Sequence, residues 1–393
     1  MTRSSGRHVL FLSWRDLRHP EGGGSELYLE RVAAELITQG HRVTLFCQAY
    51  AGASKVETRP DGLRIVRRGG RHTVYLFAAL LYLAGALGFG PLDRRAPGRP
   101  DVIVDVCNGM PFLSRCYARC RVIALVHHVH REQWSCVFGP TMARLGWWIE
   151  SRLAIRVYRR CPYVAVSEST RRELIELGVD PERITVVYNG TPPVDGAPVA
   201  RTAHPSLVVL GRLVPHKRVE LALRATALLA VELPGLELVV AGQGWWDAPL
   251  RRLAADLGIE DRVRFAGFVS ESDKHELLSR SWLSLVPSLK EGWGLTIVEA
   301  GVRGTPSIAF RSAGGVVEAV VDGRTGTLVD DEFEFFRSVR ALLLDQEARD
   351  RMGKAAVRHA ERFTWPAAGA AFAGVVTGRG PATTPHLANQ RVP

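Results

Sequence analysis

Short apolar runs alternate along this chain with amphipathic stretches, and the alternation runs through twice. His8-Val-Leu-Phe-Leu-Ser13 is an apolar run between polar neighbours, the pattern of a strand buried on both faces of a parallel sheet. Leu29, Val32, Ala33, Leu36 and Ile37 then recur at helical spacing before Gly40, which predicts a helix with one apolar face and a glycine stop. Arg42-Val-Thr-Leu-Phe-Cys47 is a second strand, so the chain opens as a βαβ unit. Further strands are predicted at 63–67, 101–105, 122–126, 163–166 and 184–187. A long basic helix with Trp147 and Trp148 is predicted over 140–160, and Ser167 is placed to cap the helix after it.

Pro192, Pro193, Pro198 and Pro205 interrupt the pattern and mark a linker, with a boundary near 195–203. The alternation then restarts. Strands are predicted at 206–210, 236–241, 262–265, 283–286 and 305–310. Helices are predicted over 218–232 and from Ser270, and two more across 332–361. The expected fold class is α/β, with two doubly wound Rossmann-like domains whose carboxyl edges face across a cleft. The first domain takes residues 1–197 and the second 198–364. An Ala-rich segment covers 365–378, and a Pro/Thr-rich tail over 379–393 is expected to be disordered.

One run departs from this rhythm. Val74 to Phe89 is apolar for about 16 residues, short of the ~20 that span a bilayer. It follows Arg64, Arg67, Arg68 and Arg71. It reads either as a helix packed on the sheet or as a helix in peripheral contact with a membrane through 64–90.

Composition is that of a globular chain, 46% hydrophobic and 23% charged over 393 residues. The net charge of +11 is unevenly placed, since residues 1–195 hold 27 Lys and Arg against 18 Asp and Glu. The first half would therefore attract an acidic partner or surface. No helix-turn-helix, finger or RNP pattern accompanies the charge, so nucleic acid is not expected. The basic residues are 46 Arg and only 5 Lys, a skew that coding bias would also produce. Six Cys lack zinc spacing and read as reduced thiols. The first seven residues run into a short strand and not into a long apolar stretch, so no signal peptide is read. Together these point to the cytoplasm, with the inner face of the membrane as a further location.

The chemistry gathers around Pro287-Ser-Leu-Lys-Glu-Gly-Trp-Gly-Leu-Thr-Ile-Val-Glu-Ala300. An apolar strand end, a Gly turn and a helix start present free backbone N–H groups to an anion. Glu291 and Glu299 sit in the same stretch, and ionised carboxylates accept strongly from sugar hydroxyls. The stretch thus suits a ligand with phosphate and sugar parts. Arg212 and Lys217 follow another strand of the same sheet edge and add two cations for a diphosphate. In the first half, Gly22-Gly-Gly-Ser25 lies about ten residues after its strand, and strand two ends in Cys47-Gln48 with no acid for a ribose. Both features argue against a nicotinamide dinucleotide site. His127, His128 and His130 follow the 122–126 strand, where a histidine can hydrogen-bond a hydroxyl. No second His cluster completes a metal site.

Gly211-Arg-Leu-Val-Pro-His-Lys217, Ala241-Gly-Gln-Gly244 and Glu291 with seven residues before Glu299 resemble the retaining GT4-type glycosyltransferases of the GT-B fold. Gly22-Gly-Gly-Ser-Glu26, Ala165-Val-Ser167 and Tyr188-Asn-Gly190 fit the same family, over roughly residues 8–366. Trp293 stands where the family usually has Phe, and Trp245-Trp246 replace a more usual Pro-Glu.

The resemblance implies a nucleotide-sugar donor and a role for each matching residue. Arg212 and Lys217 would bind the donor diphosphate, Glu291 sugar hydroxyls, and Glu299 the ribose. The backbone of Gly292, Trp293, Gly294, Leu295 and Thr296 would lie near phosphate, and that of Val269 near the base. Gly23 and Gly24 would approach the diphosphate, and His127 would contact the transferred sugar. It also implies no cofactor, no catalytic metal, and a last helix over 365–378 crossing back to the first domain. Nucleotide, sugar and acceptor stay open, with a lipid-linked or acidic acceptor suggested by the basic first half. A sugar-nucleotide hydrolase or epimerase on the same fold, and a non-catalytic nucleotide-sugar sensor, are the rival readings. The four intact residues Arg212, Lys217, Glu291 and Glu299 argue against the sensor.

Overall fold

In the computed structural model of the chain, which describes residues 6–92, 99–191 and 199–379, the apolar runs become strands of two separate sheets. The chain divides into two units, Met1–Gly190 with Trp365–Pro393, and Thr191–Thr364. Thr191 joins the second unit because its N–H bonds Phe363 O at 3.0 Å and it bridges Thr364 in parallel. Most of the proline-rich stretch, residues 192–198, and the tail from residue 380 lie outside the described residues.

Unit 1 is built from β1 (His8–Leu12), α1 (Gly24–Thr38), β2 (Arg42–Cys47), β3 (Val56–Thr58), β4 (Arg64–Arg67) and α2 (Val74–Ala86). It continues through β5 (Val102–Val106), β6 (Arg121–Val126), α3 (Arg131–Val137), α4 (Pro140–Trp148), α5 (Ile155–Tyr158), β7 (Tyr163–Ala165), α6 (Glu168–Glu176) and β8 (Ile184–Val186). The sheet order is β3-β4-β2-β1-β5-β6-β7-β8, parallel except for β3, which pairs antiparallel with β4. β1 and β5 are buried at all five positions. Removing such runs from water is the main source of the unit's stability, at about 1.5–3 kcal/mol per large apolar side chain.

Two local features differ from expectation. The edge hairpin β3–β4 was not legible, because β3 is three residues with an intermediate or exposed face at each. The predicted 140–160 helix is interrupted by a π-helical turn over Ile149–Ala154. The cause is Glu150, turned inward so that one oxygen accepts from His130 N at 3.1 Å and the other from Trp134 Nε1 at 2.8 Å. An extra residue in the turn is what brings it there.

Unit 2 runs β9 (Ser206–Leu210), α7 (Val219–Leu229), β10 (Glu237–Ala241), α8 (Asp247–Asp256), β11 (Val263–Gly267), α9 (Glu271–Arg280) and β12 (Leu283–Val286). Then follow α10 (Leu295–Val302), β13 (Ser307–Phe310), α11 (Val316–Ala319), β14 (Gly326–Val329), α12 (Glu332–Leu344) and α13 (Gln346–Ala360). Its sheet is wholly parallel in the order β11-β10-β9-β12-β13-β14. The last helix, α14 (Trp365–Thr377), belongs to unit 1, where Phe372 lies 5.8 Å from the Phe11 ring.

Strand order reverses at β1/β5 in unit 1 and at β9/β12 in unit 2. Connections leave such neighbouring strands in opposite directions, which opens a crevice beyond their carboxyl ends.

Candidate functional site

The unit 2 crevice is built by the loops after β9 and β12. After β9 the chain passes Arg212 and turns through a single 3-10 turn, Pro215–Lys217. After β12 it passes Ser288 to Glu291. The loops are tied together by Leu289 N donating to His216 O at 2.8 Å. Their side chains meet at one atom: Glu291 Oε1 accepts from Lys217 Nζ at 2.6 Å and from Ser288 Oγ at 2.6 Å. The backbone of Glu291 is held from the far side, its N–H on Ala313 O at 2.8 Å and its carbonyl receiving Gly315 N–H at 3.1 Å. Burial alone would push the Glu291 carboxyl up, but the Lys217 ammonium and the Ser288 hydroxyl outweigh it and hold it below the usual range. It is therefore an anion at neutral pH.

Arg212 is exposed at the mouth of the same loop. Its position depends on the β10 loop behind it, where Leu213 N donates to Gln243 O at 2.9 Å. Gly242, at φ +143°, makes that contact feasible, since a Cβ there would lie 1.8 Å from Gly211 O. This is the physical content of the Ala241-Gly-Gln-Gly244 motif.

Gly294 caps α10 in the left-handed region at φ 92°, which favours glycine. The amides of Leu295 and Thr296 in the first turn have no intrahelical acceptor and suit an anion. Trp293 is placed differently from a lining side chain. Its indole is 2% exposed and packs edge-on against Phe363 at 4.9 Å. The extra bulk relative to Phe is absorbed in the core.

Glu299 lies one turn deeper on α10 and is buried. Its Oε1 accepts from Lys274 Nζ at 2.7 Å, and Lys274 also pairs with Glu271 at 2.9 Å. Burial raises the Glu299 carboxyl, and the Lys274 charge opposes the rise. Sequence reasoning missed Lys274. The available signal was a lysine, rare in this chain, four residues into a helix capped by Ser270. Val269 immediately precedes that cap, whose Oγ accepts from Asp273 N at 3.1 Å.

In unit 1, Gly23 and Gly24 open α1. The Gly23 N–H is already given to Glu26 Oε2 at 2.8 Å, so it is the Gly24 and Ser25 amides that lack an intrahelical acceptor. His127 follows β6 and is 6% exposed, edge-on to the Tyr28 ring at 5.3 Å. Its Nε2 is buried without a hydrogen-bond partner among the described residues. Burial, opposed by Glu26, pushes the imidazole down to about 4, so the ring is neutral at pH 7 and serves as a hydrogen-bonding group, not as a cation. The neighbouring rings have other commitments, His128 Nε2 to Gln133 Oε1 at 2.8 Å and His130 Nδ1 to Glu150 at 2.9 Å. Among the described residues no three His, Cys, Asp or Glu side chains form a group that could hold a metal ion.

The structure thus brings Lys217 and Glu291 into direct contact, with the α10 amides following Glu291 in the same unit. His127, Gly23 and Gly24 belong to the other unit.

The family described as Glycosyl transferases group 1 matches residues 197–359, and Glycosyltransferase Family 4 matches residues 22–194. A D-inositol 3-phosphate glycosyltransferase of Thermobispora bispora is 31% identical over 91% of this chain and 90% of its own. A GDP-mannose-dependent alpha-(1-6)-phosphatidylinositol monomannoside mannosyltransferase of Mycolicibacterium smegmatis is 28% identical over 92% of this chain and 96% of its own. Other relatives bearing the first of these names match over about half their length, 47% in one and 49% in another. Among solved structures, the sucrose-phosphate synthase of Thermosynechococcus elongatus superposes with a TM-score of 0.78 at 17% identity, over 95% of this chain and 98% of that one. That likeness speaks to the fold.

Proposed function

This chain belongs to the family 4 glycosyltransferases of the GT-B fold, and we propose that it moves a hexosyl group from a UDP- or GDP-linked sugar to an acceptor hydroxyl with retention at the anomeric carbon. The observation that carries the reading is the Lys217–Glu291–Ser288 contact at the β9/β12 crevice. It sets a fixed cation and an ionised carboxylate beside free helix amides.

In the proposed reaction the bond between the sugar's anomeric carbon and the diphosphate oxygen breaks. The acceptor oxygen bonds to that carbon on the same face, and its proton passes to the departing diphosphate. Charge then grows on the diphosphate, where Lys217, Arg212 and the α10 amides stabilise it more than in the ground state. No metal is assigned a part, because these groups supply the positive charge. Glu291 holds sugar hydroxyls, aided by the backbone of Gly292 and Trp293. Glu299 accepts from the ribose through the oxygen that Lys274 does not use. His127 is assigned the transferred sugar, for which its unpartnered Nε2 is the supporting observation. The name of the Mycolicibacterium smegmatis relative favours a GDP-linked donor, and both names favour an acceptor built on a phosphorylated inositol.

A thermal-shift screen of the full chain against UDP-, GDP-, TDP- and ADP-linked sugars tests the donor class. A ligand at a hundred times its dissociation constant adds about 2.7 kcal/mol to the native state. A UDP- or GDP-linked sugar is expected to raise Tm; no rise with either would contradict the assignment.

No helix among the described residues is long and apolar enough to cross a membrane. Peripheral contact is proposed instead, through α2. This helix buries Val74, Ala78, Tyr82 and Gly85 but presents Leu76, Phe77, Leu80 and Leu83, with Leu87 and Phe89 beyond it, to solvent. It is packed on the sheet along one face and apolar on the other, so both readings of the 74–89 run describe part of it. Flotation with anionic vesicles at low salt is expected to carry the protein upward, and Leu80→Asp with Leu87→Asp to reduce that; flotation unchanged by the pair would count against α2.

A further inference from the structure

A pocket at the amino ends of the unit 2 strands takes no part in the proposed reaction. Arg201 and Thr202 precede β9, Trp282 immediately precedes β12, and Pro306 immediately precedes β13. These strands are parallel neighbours. The pocket therefore lies at the opposite sheet edge from Lys217 and Glu291, a strand length of about 15 Å away. Its volume is about 260 Å³, and the first turns of α13 close it with Gln346, Arg349 and Asp350. One water needs about 10–15 Å³ of such space, so there is room for a molecule the size of a sugar phosphate.

Two cations line the pocket without a carboxylate partner. Arg349 is 8% exposed. Its Nη1 donates to Leu342 O at 2.6 Å and to Leu343 O at 2.8 Å, in the last turn of α12. Its guanidinium carbon lies 4.0 Å from the Trp282 ring centroid. Trp282 is fixed in turn, its Nε1 donating to Thr202 O at 2.9 Å. Arg201 enters from the other side, Nη1 donating to Ser279 O at 2.8 Å and Nη2 to Gly304 O at 2.6 Å. Carbonyl dipoles and a ring face orient a guanidinium but leave its charge uncancelled. Neither arginine forms an ion pair among the described residues. Burial pulls both guanidinium groups below the usual arginine value; Asp350 opposes the fall at both, and Arg349 adds to it at Arg201. The two cations thus lie within electrostatic reach of each other.

The helix that closes the pocket points the same way. α13 is 15 residues long and is capped by Asp345, whose Oδ1 accepts from Ala348 N at 2.8 Å. The amides of Gln346 and Glu347 keep no intrahelical acceptor, and the helix end favours negative charge. Asp350 is the carboxylate of the lining and works against an anion. It stands against two guanidinium groups. Only Nη1 of Arg349 is committed to carbonyls, which leaves Nε and Nη2, the paired donors that fit a phosphate.

We propose that Arg201, Arg349, Trp282 and the first turn of α13 form a binding site for a phosphorylated small metabolite, separate from the donor crevice. Arg349 supplies a fixed pair of donors backed by the indole. Arg201 and the α13 terminus supply the further positive potential. The site takes a phosphate carried by a small molecule or the free ion, and it does not depend on the glycosyltransferase reading.

Arg349→Leu would strip carbonyls at the end of α12 and disturb the fold, so the test changes charge at the rim instead. Gln346→Glu adds a carboxylate where a helix N-terminus accepts one, and Asp350→Asn removes one. Isothermal titration calorimetry of the full chain uses inorganic phosphate and, separately, glucose 6-phosphate, at constant ionic strength and with saturating UDP or GDP present to fill the donor crevice. Saturable binding is expected, about fivefold weaker in Gln346→Glu and about fivefold tighter in Asp350→Asn. Thermal melting, which neither substitution is expected to lower, separates loss of the site from loss of the fold. Binding of glucose 6-phosphate alone identifies a phosphomonoester, and binding of inorganic phosphate as well identifies the phosphate group itself; both support the site. Absence of binding to either probe, or wild-type affinity in both variants, overturns it.

Discussion

Replacing Glu291 by Gln is expected to lower transfer 10²–10³-fold while leaving the fold intact. The magnitude is that of removing one oriented electrostatic group from a preorganised site, about 2.7–4 kcal/mol. Gln keeps the volume and one acceptor oxygen, so Ser288 retains a partner. The charge is what is lost. Lys217 then has no carboxylate at 2.6 Å to aim its ammonium, and sugar hydroxyls lose an ionised acceptor. The Lys217 and Glu291 side chains keep 21% and 13% exposure, so water reaches the stranded ammonium, and urea unfolding should shift by less than the ~3–5 kcal/mol of breaking a fully buried pair. Lys217→Met is expected to be at least as damaging. The double variant should cost less than the two losses combined, since the pair acts as a unit. Full transfer activity in Glu291→Gln would remove this carboxylate from the mechanism.

Arg67→Leu is expected to destabilise unit 1 by about 3–5 kcal/mol, the usual result of stranding one partner of a buried ion pair. Arg67 Nε lies 2.5 Å from Asp16 Oδ2, and the side chains are 1% and 0% exposed. Asp16 also accepts from Arg18 N at 3.0 Å, from Tyr50 OH at 3.2 Å and from the Cys47 thiol at 3.6 Å. One buried carboxylate thus pins the loop from β1 to α1 to β2 and β4. Without Arg67 it must stay charged and unpaired or take up a proton. Asp16→Leu added to Arg67→Leu should recover part of the loss, because the Asp16 carboxylate is then no longer left buried without its cation. Denaturant unfolding followed by circular dichroism measures this. A wild-type midpoint in the single variant would show that water or another cation replaces Arg67.

Much of the fold was legible because parallel strands buried on both faces leave continuous apolar runs. His8–Leu12, Val122–Val126 and Leu283–Val286 were found for that reason. β3 and β14 were missed, being short and set among glycines or exposed residues that carry no period. The inward turn of Glu150 was invisible, since a carboxylate satisfied by groups of two distant residues, His130 and Trp134, looks in sequence like a solvated helix face. In the candidate site, Lys217 and Glu291 could be paired from position alone because each follows a strand of one sheet edge. Lys274 could not, as nothing local says that a helical lysine turns inward to a carboxylate 25 residues away. The burial of the Trp293 indole against Phe363 was not legible, because its motif neighbours are glycines and its ring partner lies 70 residues on. Arg71 was read only as part of a basic stretch, and its contact with Trp14 needed three dimensions.

The central claim is that donor breakdown occurs with retention and depends on the cation at the β9/β12 crevice. Time-resolved proton NMR of the sugar's anomeric proton, during turnover of an α-linked UDP- or GDP-sugar without added acceptor, addresses it directly. Retention predicts that the α-anomer of the free sugar appears first and equilibrates later, and that Lys217→Met slows its appearance at least a hundredfold. First appearance of the β-anomer, or an undiminished rate in Lys217→Met, would contradict the account.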